Sequence, residues 1–260
     1  MTVVREPAVA GLFYPEEPAE LRALVSKLLG EVVLQDDVLP KALIAPHAGY
    51  VYSGAVAASA YARLSRYRDV YERVVLLGPC HRVPVAGLAL SGADAFRTPL
   101  GDVPVDRDAV ATLQEKGVAV FEPSHQYEHS LEVHLPFLQT VLGAFSIVPI
   151  VVGEARPQAV AGLLDALWDG PETLIVVSSD LSHYLAYDAA REQDTATCRR
   201  IERLDTDIGH DDACGATPLG GLLLAAQRRG MRVTTLDLRN SGDTAGDRDF
   251  VVGYGAWMFA

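Results

Sequence analysis

Six of the seven histidines fall in four short blocks. These are Ala45-Pro46-His47-Ala48-Gly49-Tyr50, Gly78-Pro79-Cys80-His81, the run from Ser124 to Pro136, and Ser178-Ser179-Asp180-Leu181-Ser182-His183. Neutral imidazole is a common ligand for iron, copper and zinc, and ligands carried on separate strand ends can converge without close spacing in sequence. The chemistry suggested is a metal centre with titratable groups beside it.

His47 and His81 each follow an apolar run that reads as a buried strand, Leu43-Ile44-Ala45-Pro46 and Val74-Val75-Leu76-Leu77-Gly78-Pro79. Both would stand at a strand's carboxyl end, where open α/β sheets bind ligands. Asp180 and His183 follow a third such run, Leu174 to Val177, as an acid-base pair or as a carboxylate that fixes an imidazole tautomer; the structural alternative for Asp180 is a cap on the next segment. In Glu128-His129-Ser130-Leu131-Glu132-Val133-His134, Ser130 reads as the N-cap of a helix with Glu132 in its first turn. His129 and His134 would then diverge by about 140° around that helix, so His129 and Glu132 are the pair that share a face. His134 is otherwise a buried histidine bonded to backbone.

Two thiols compete to join the histidines. Cys80 is next to His81, whereas Cys214 lies in Asp211-Asp212-Ala213-Cys214-Gly215-Ala216-Thr217-Pro218, before a helix whose N-terminus would lower a thiol's pKa. Pro218 suits the first helical position there. The structural alternative for either cysteine is a small buried residue. Three cysteines without a CxxC do not make a disulfide framework.

The elements that must position these groups alternate. Strand-like runs occur at 42–45, 73–77, 85–90, 145–152, 174–177, 232–238 and 250–259. Helical patterns lie at 18–29, 53–64, 106–116, 130–142, 156–168, 188–204 and 217–229. Alternation of this kind gives an α/β three-layer sandwich. Its central sheet should be mixed, because the gap before Val85 is too short for a helix and the last two strands are joined by the turn-rich stretch 240–249. A single domain over 1–260 is expected, without internal repeats.

Composition restricts the partners. With 34 acidic against 22 basic residues the formal charge is −12, which disfavours nucleic acid and anionic membrane. No apolar stretch reaches the roughly 20 residues of a membrane span, and the first residues lack a signal peptide's build, so a cytoplasmic protein is expected.

Taken together, the blocks resemble the Memo family, whose prokaryotic members include the AmmeMemoRadiSam system protein B. The resemblance rests on Val9-Ala10-Gly11-Leu12-Phe13-Tyr14-Pro15, the His47 block with Tyr52-Ser53-Gly54, Leu77 to His81, and Phe96-Arg97-Thr98-Pro99-Leu100-Gly101. Glu128 to Pro136, Val177 to His183 and Cys214-Gly215 complete it. It implies metal ligands at His47, His81 and Cys214, so it selects Cys214 over Cys80. The family is similar in fold to class III extradiol ring-cleaving dioxygenases, which implies acid-base work for His183 and a substrate-side role for His129; in a metal-dependent redox enzyme, Asp180 and His129 would orient substrate or His183. Cys80 stands where the family usually has serine.

The implied cofactor is one metal ion, iron(II) or copper; a thiolate ligand softens the site relative to a carboxylate, and zinc ranks lower. The implied function is a dioxygenase-like oxidoreductase acting on a small molecule or peptide, with a radical S-adenosylmethionine protein as partner. Two other readings remain open. One is a metal chaperone or peptide-binding adaptor without turnover; the other is a zinc hydrolase with Asp180 or Glu132 as base.

Overall fold

The apolar runs become strands that place the histidine blocks side by side. In the computed structural model, which describes residues 2–34 and 37–260, the strands are β1 (Val4–Arg5), β2 (Ala42–Ala45), β3 (Arg73–Pro79), β4 (Leu88–Leu90), β5 (Ala95–Thr98), β6 (Gly101–Pro104), β7 (Ala119–Val120), β8 (Ser146–Val152), β9 (Thr173–Ser178), β10 (His183–Leu185), β11 (Val233–Asn240) and β12 (Val251–Phe259). The helices are α1 (Pro18–Gly30), α2 (Tyr50–Tyr61), α3 (Arg107–Glu115), α4 (Pro123–Gln126), α5 (Leu135–Val141), α6 (Pro157–Leu167), α7 (Tyr187–Glu202) and α8 (Ala216–Arg228).

The large sheet runs β10-β12-β2-β9-β3-β8-β4-β7, with β11 also paired to β12. Its centre, β2-β9-β3-β8, is parallel, and every residue of β2 and β9 is buried. Such strands, covered on both faces, read as unbroken apolar runs. The antiparallel pairings are β4 on β8, β12 on β2, and β11 and β10 on β12. The sheet is therefore mixed, and helices on both faces complete a three-layer α/β sandwich. Helices α1, α2 and α5 pack together with α2 against β2, β11 and β12; α6 packs on α8, and α8 covers β3 and β9; α7 lies on β10, β11 and β12.

Two departures from the sequence reading have physical causes. The helix expected over 130–142 starts as a 3-10 turn at Glu132–His134 and becomes α-helical only over Leu135–Val141. Ser130 is not its N-cap: the hydroxyl donates instead to the Pro79 carbonyl at 2.8 Å, because this segment is pressed against the end of β3. A second, three-stranded sheet, β1-β5-β6, was not anticipated. Its β1 is two residues long and pairs with residues some ninety positions away, so no local periodicity announces it.

Among the described residues, no helix is long and apolar enough to cross a membrane.

Candidate metal centre

The three central parallel strands end at one edge. His47 follows β2, Asp180 follows β9 and His81 follows β3, with β9 between the other two. Cys214 reaches the same edge from the loop before α8. Gly215 makes that approach possible: a Cβ there would lie 2.5 Å from the Ser178 carbonyl oxygen and 2.7 Å from the Ser179 Cβ. Two backbone bonds lock the junction, Cys214 N–H to the Asp180 carbonyl at 3.2 Å and Gly215 N–H to Ser179 Oγ at 3.0 Å. Gly78 does the same for His81, since a Cβ there would meet Ser130 Oγ at 2.6 Å and Leu131 Cδ2 at 2.9 Å.

His47 is buried, with Nδ1 2.7 Å from Ser178 Oγ and Nε2 3.4 Å from Cys214 Sγ. Its backbone N–H donates to Asp180 Oδ1 at 2.8 Å. One donor atom each from His47, His81 and Cys214 falls within a mutual separation of 4.8 Å, and a second group at the same limit contains His81, Glu128 and His129. The His47, His81 and His129 rings form a triangle with centroid separations of 5.0, 5.4 and 4.6 Å. Phe13 closes the far side of His129, ring to ring at 4.9 Å.

Burial and crowding set the charge states. Burial, reinforced by the neighbouring imidazoles, pushes His47 well below its usual pKa. Burial likewise pulls His129 down to about 4. Both rings are therefore neutral near pH 7, the form that ligates metals. Burial raises Asp180 to about 6, opposed by the His47 N–H and by the positive potential of His183 and His81. Glu128 behaves oppositely: burial would raise it, but hydrogen bonds from the His81 ring and from backbone amides hold it at about 2. The Cys214 thiol departs from the sequence expectation. Burial and the nearby Asp180 carboxylate push it up to about 12, so desolvation outweighs whatever the start of α8 contributes.

Each anticipated residue has a definite place. His47, His81, Cys214 and His129 are brought together. Asp180 joins them, but its carboxylate bonds the His47 backbone rather than the His183 ring. His183 stands farther out, exposed at the start of β10, with Nδ1 donating to the Leu181 carbonyl at 2.8 Å. It is near enough to act electrostatically on His47 and Asp180. Cys80 belongs to neither ligand group. His134 is a core residue whose Nδ1 meets the Tyr61 hydroxyl at 2.7 Å.

Glu132 does not share a face of the site with His129. It is fully buried in an ion pair with Arg5 and also accepts from Ala8 N, Val9 N and the Tyr14 hydroxyl at 2.7, 3.0 and 2.5 Å. With its acceptors taken, Glu132 is not available as the base of a hydrolase. Arg5 also donates to the carbonyls of His125, at 3.0 Å, and Glu128, at 2.5 Å, so this pair braces the segment that carries His129.

Sequence reasoning missed Glu128 and Ser178. Both lie in blocks already singled out: Glu128 stands next to His129, and Ser178 ends β9 at the head of the block that carries Asp180 and His183.

The sequence matches the profile of the family described as Memo-like protein over residues 5–258. A MEMO1 family protein of Aquifex aeolicus is 38% identical over 269 residues, covering 98% of this chain and 99% of the relative. One from Ignicoccus hospitalis is 36% identical over 282 residues, covering 99% of each. The chain belongs to the Memo family. A crystal structure of an uncharacterized Escherichia coli K12 protein aligns with TM-score 0.51 over 84% of this Memo-family chain and 99% of its own, at 14% identity, a likeness of fold.

Proposed function

We propose that this Memo-family protein binds one redox-active metal ion, iron(II) or copper, through His47, His81 and Cys214, and works as an oxidoreductase with a dioxygenase-like pocket. The observation that supports it most is the donor set itself: two imidazoles and a thiol converge at the ends of parallel strands. Around them the buried carboxylate of Asp180, raised to about 6, has no Lys or Arg ion-pair partner among the described residues. Buried carboxylates without a counter-charge are costly, and a divalent cation relieves that cost. Loss of the thiol proton on metal binding supplies the third ligand, as coordination deprotonates thiols. Donors of this kind suit copper and iron, with zinc next.

When bound, iron or copper supplies one-electron chemistry toward dioxygen and an oxidisable substrate. The chain's own groups then bind, orient and move protons. His183, fixed by its Nδ1–H bond to Leu181, presents Nε2 for proton transfer at the rim. Asp180 holds the His47 loop through the backbone. His129, neutral and wedged between Phe13 and the other two rings, lines the substrate side. A small molecule or peptide substrate, and a radical S-adenosylmethionine protein as partner, remain the family-based expectations.

The test is oxygen consumption by protein loaded with iron or copper, offered catechols, thiols and peptides. His183→Ala should keep its metal and lose about 10²- to 10⁴-fold in rate. Loaded protein that consumes no oxygen with any of these would overturn the oxidoreductase reading. The soft thiol also favours a copper(I) carrier as a second reading; weak copper(I) binding, unaffected by Cys214→Ala, would remove it.

A further inference from the structure

Glu128 lies in the second ligand group with His81 and His129, which makes it a candidate ligand in its own right. Its hydrogen bonds argue otherwise. A carboxylate offers about four lone-pair sites on its two oxygens. Here Oε2 accepts the His81 backbone N–H at 2.6 Å, while Oε1 faces the His81 ring Nδ1 at 2.9 Å and the backbone N–H groups of His129 and Ser130 at 2.9 and 3.0 Å. Oε1, the oxygen that meets the ring, is thus fully taken up by three donors, and Oε2 is tied to the backbone of His81 itself. The group is fixed at both ends, because Arg5 holds the Glu128 carbonyl and Ser130 Oγ holds the Pro79 carbonyl, two residues before His81.

We infer that Glu128 is a positioning residue: its buried carboxylate holds the His81 imidazole as the Nδ1–H tautomer at one rotation, so that the opposite nitrogen, Nε2, is the one offered to the metal. A carboxylate accepts and cannot donate, which places the proton on Nδ1. The same oxygen that orients His81 also fixes the amide of His129, so one side chain sets the geometry of two of the three clustered rings. His47 has only the neutral Ser178 hydroxyl in the equivalent place. His81 is accordingly the more firmly oriented of the two donors, as a histidine backed by a carboxylate is in metal sites. This inference rests on the metal-site reading above and adds which group governs it.

The first experiment needs no metal. Nitrogen-15 NMR of the metal-free wild-type protein, followed with pH until the His81 ring is neutral, should show its proton on Nδ1, and Glu128→Gln should give a mixture of tautomers or exchange broadening at His81 with histidines outside the cluster unchanged. A neutral wild-type His81 ring protonated on Nε2 would overturn the inference even if the variant does not fold. The second experiment is titration with cobalt(II), which reports thiolate coordination by its charge-transfer band. Glu128→Gln should bind about 10- to 100-fold more weakly with that band shifted, and Glu128→Asp, which keeps the charge, should recover part of the loss. Affinity and band unchanged in Glu128→Gln would contradict a positioning role. Loss of a metal–oxygen scattering shell in the variant would do so too, by showing that Glu128 ligates directly. If the tautomer is as stated and wild-type protein takes up no cobalt, the metal-site reading fails while the orientation of His81 stands.

Discussion

The two halves of the centre are built differently. The inner half, His47 and Cys214, is held through its own backbone: His47 N–H on the Asp180 carboxylate, Cys214 N–H on the Asp180 carbonyl, and Gly215 against the end of β9. Neutral Ser178 supports the His47 ring. The outer half, His81 and His129, is held by side chains and charge: Glu128 on the His81 ring, and the Arg5–Glu132 ion pair beneath the loop. Backbone placement tolerates little change, whereas side chains and ion pairs can readjust. The inner half should therefore be the rigid anchor and the outer half the adjustable one.

The largest effect should come from the outer scaffold. Glu132→Gln leaves Arg5 buried without its counter-charge and should cost about 4 kcal/mol in urea denaturation. A loss below about 1 kcal/mol would mean that the ion pair does not brace the loop.

Next come the two glycines. Gly215→Ala would strike the Ser178 carbonyl, which is backbone and cannot swing aside, and should cost about 3 kcal/mol. Gly78→Ala strikes the side chains of Ser130 and Leu131, and should cost about 1 kcal/mol as they rotate. Equal costs would erase the distinction between a backbone-built and a side-chain-built half.

Acid should act on the buried histidines of the segment that carries His129. Burial depresses His125 to about 4 and His134 to about 3, below the roughly 6.5 of an unfolded histidine. The unfolded chain therefore binds more protons between these values, so their contribution is present above pH 6.5 and lost as pH falls toward 4. Each should cost about 2 kcal/mol between pH 7 and 5 in chelator-treated protein. His134→Gln should flatten the pH dependence by its share; an unchanged slope would show that the ring already carries a proton when folded.

The smallest effect concerns the rim. Among the described residues, three other than glycine have positive φ: Asp169 and Leu204, which follow helix ends, and Tyr184, which sits inside β10 beside His183 at φ 58°. A large side chain there is strained. Tyr184→Asn should stabilise the chain by about 0.5 kcal/mol, since Asn visits this region more easily, and a clear loss in thermal denaturation would mean the Tyr184 ring is held by packing instead.

How much of this could be read from sequence follows a different division. The strand-borne residues His47, His81 and Asp180 were legible because β2, β3 and β9 are uninterrupted apolar runs that end in Pro-His, Gly-Pro or Ser-Ser, and such runs lie side by side in buried parallel sheets. The mixed edge was legible from one short gap and one turn-rich stretch. The supports around His81 and His129 were not. Glu128 and Glu132 sit four residues apart in one segment, and only Arg5, more than 120 positions earlier, decides which of them is tied up in the core and which turns to His81. Ser130 looked like a helix cap because its contact with Pro79 is non-local. The raised thiol of Cys214 depends on burial under β9, which no spacing reveals.

The most direct test of the central claim is elemental analysis of protein purified without oxygen, beside His47→Ala and Cys214→Ala. About one iron or copper per chain in the wild type, lost in both variants, is the predicted result. Absence of metal from wild-type protein even after anaerobic reconstitution, or metal retained in both variants, would contradict a centre built on His47, His81 and Cys214.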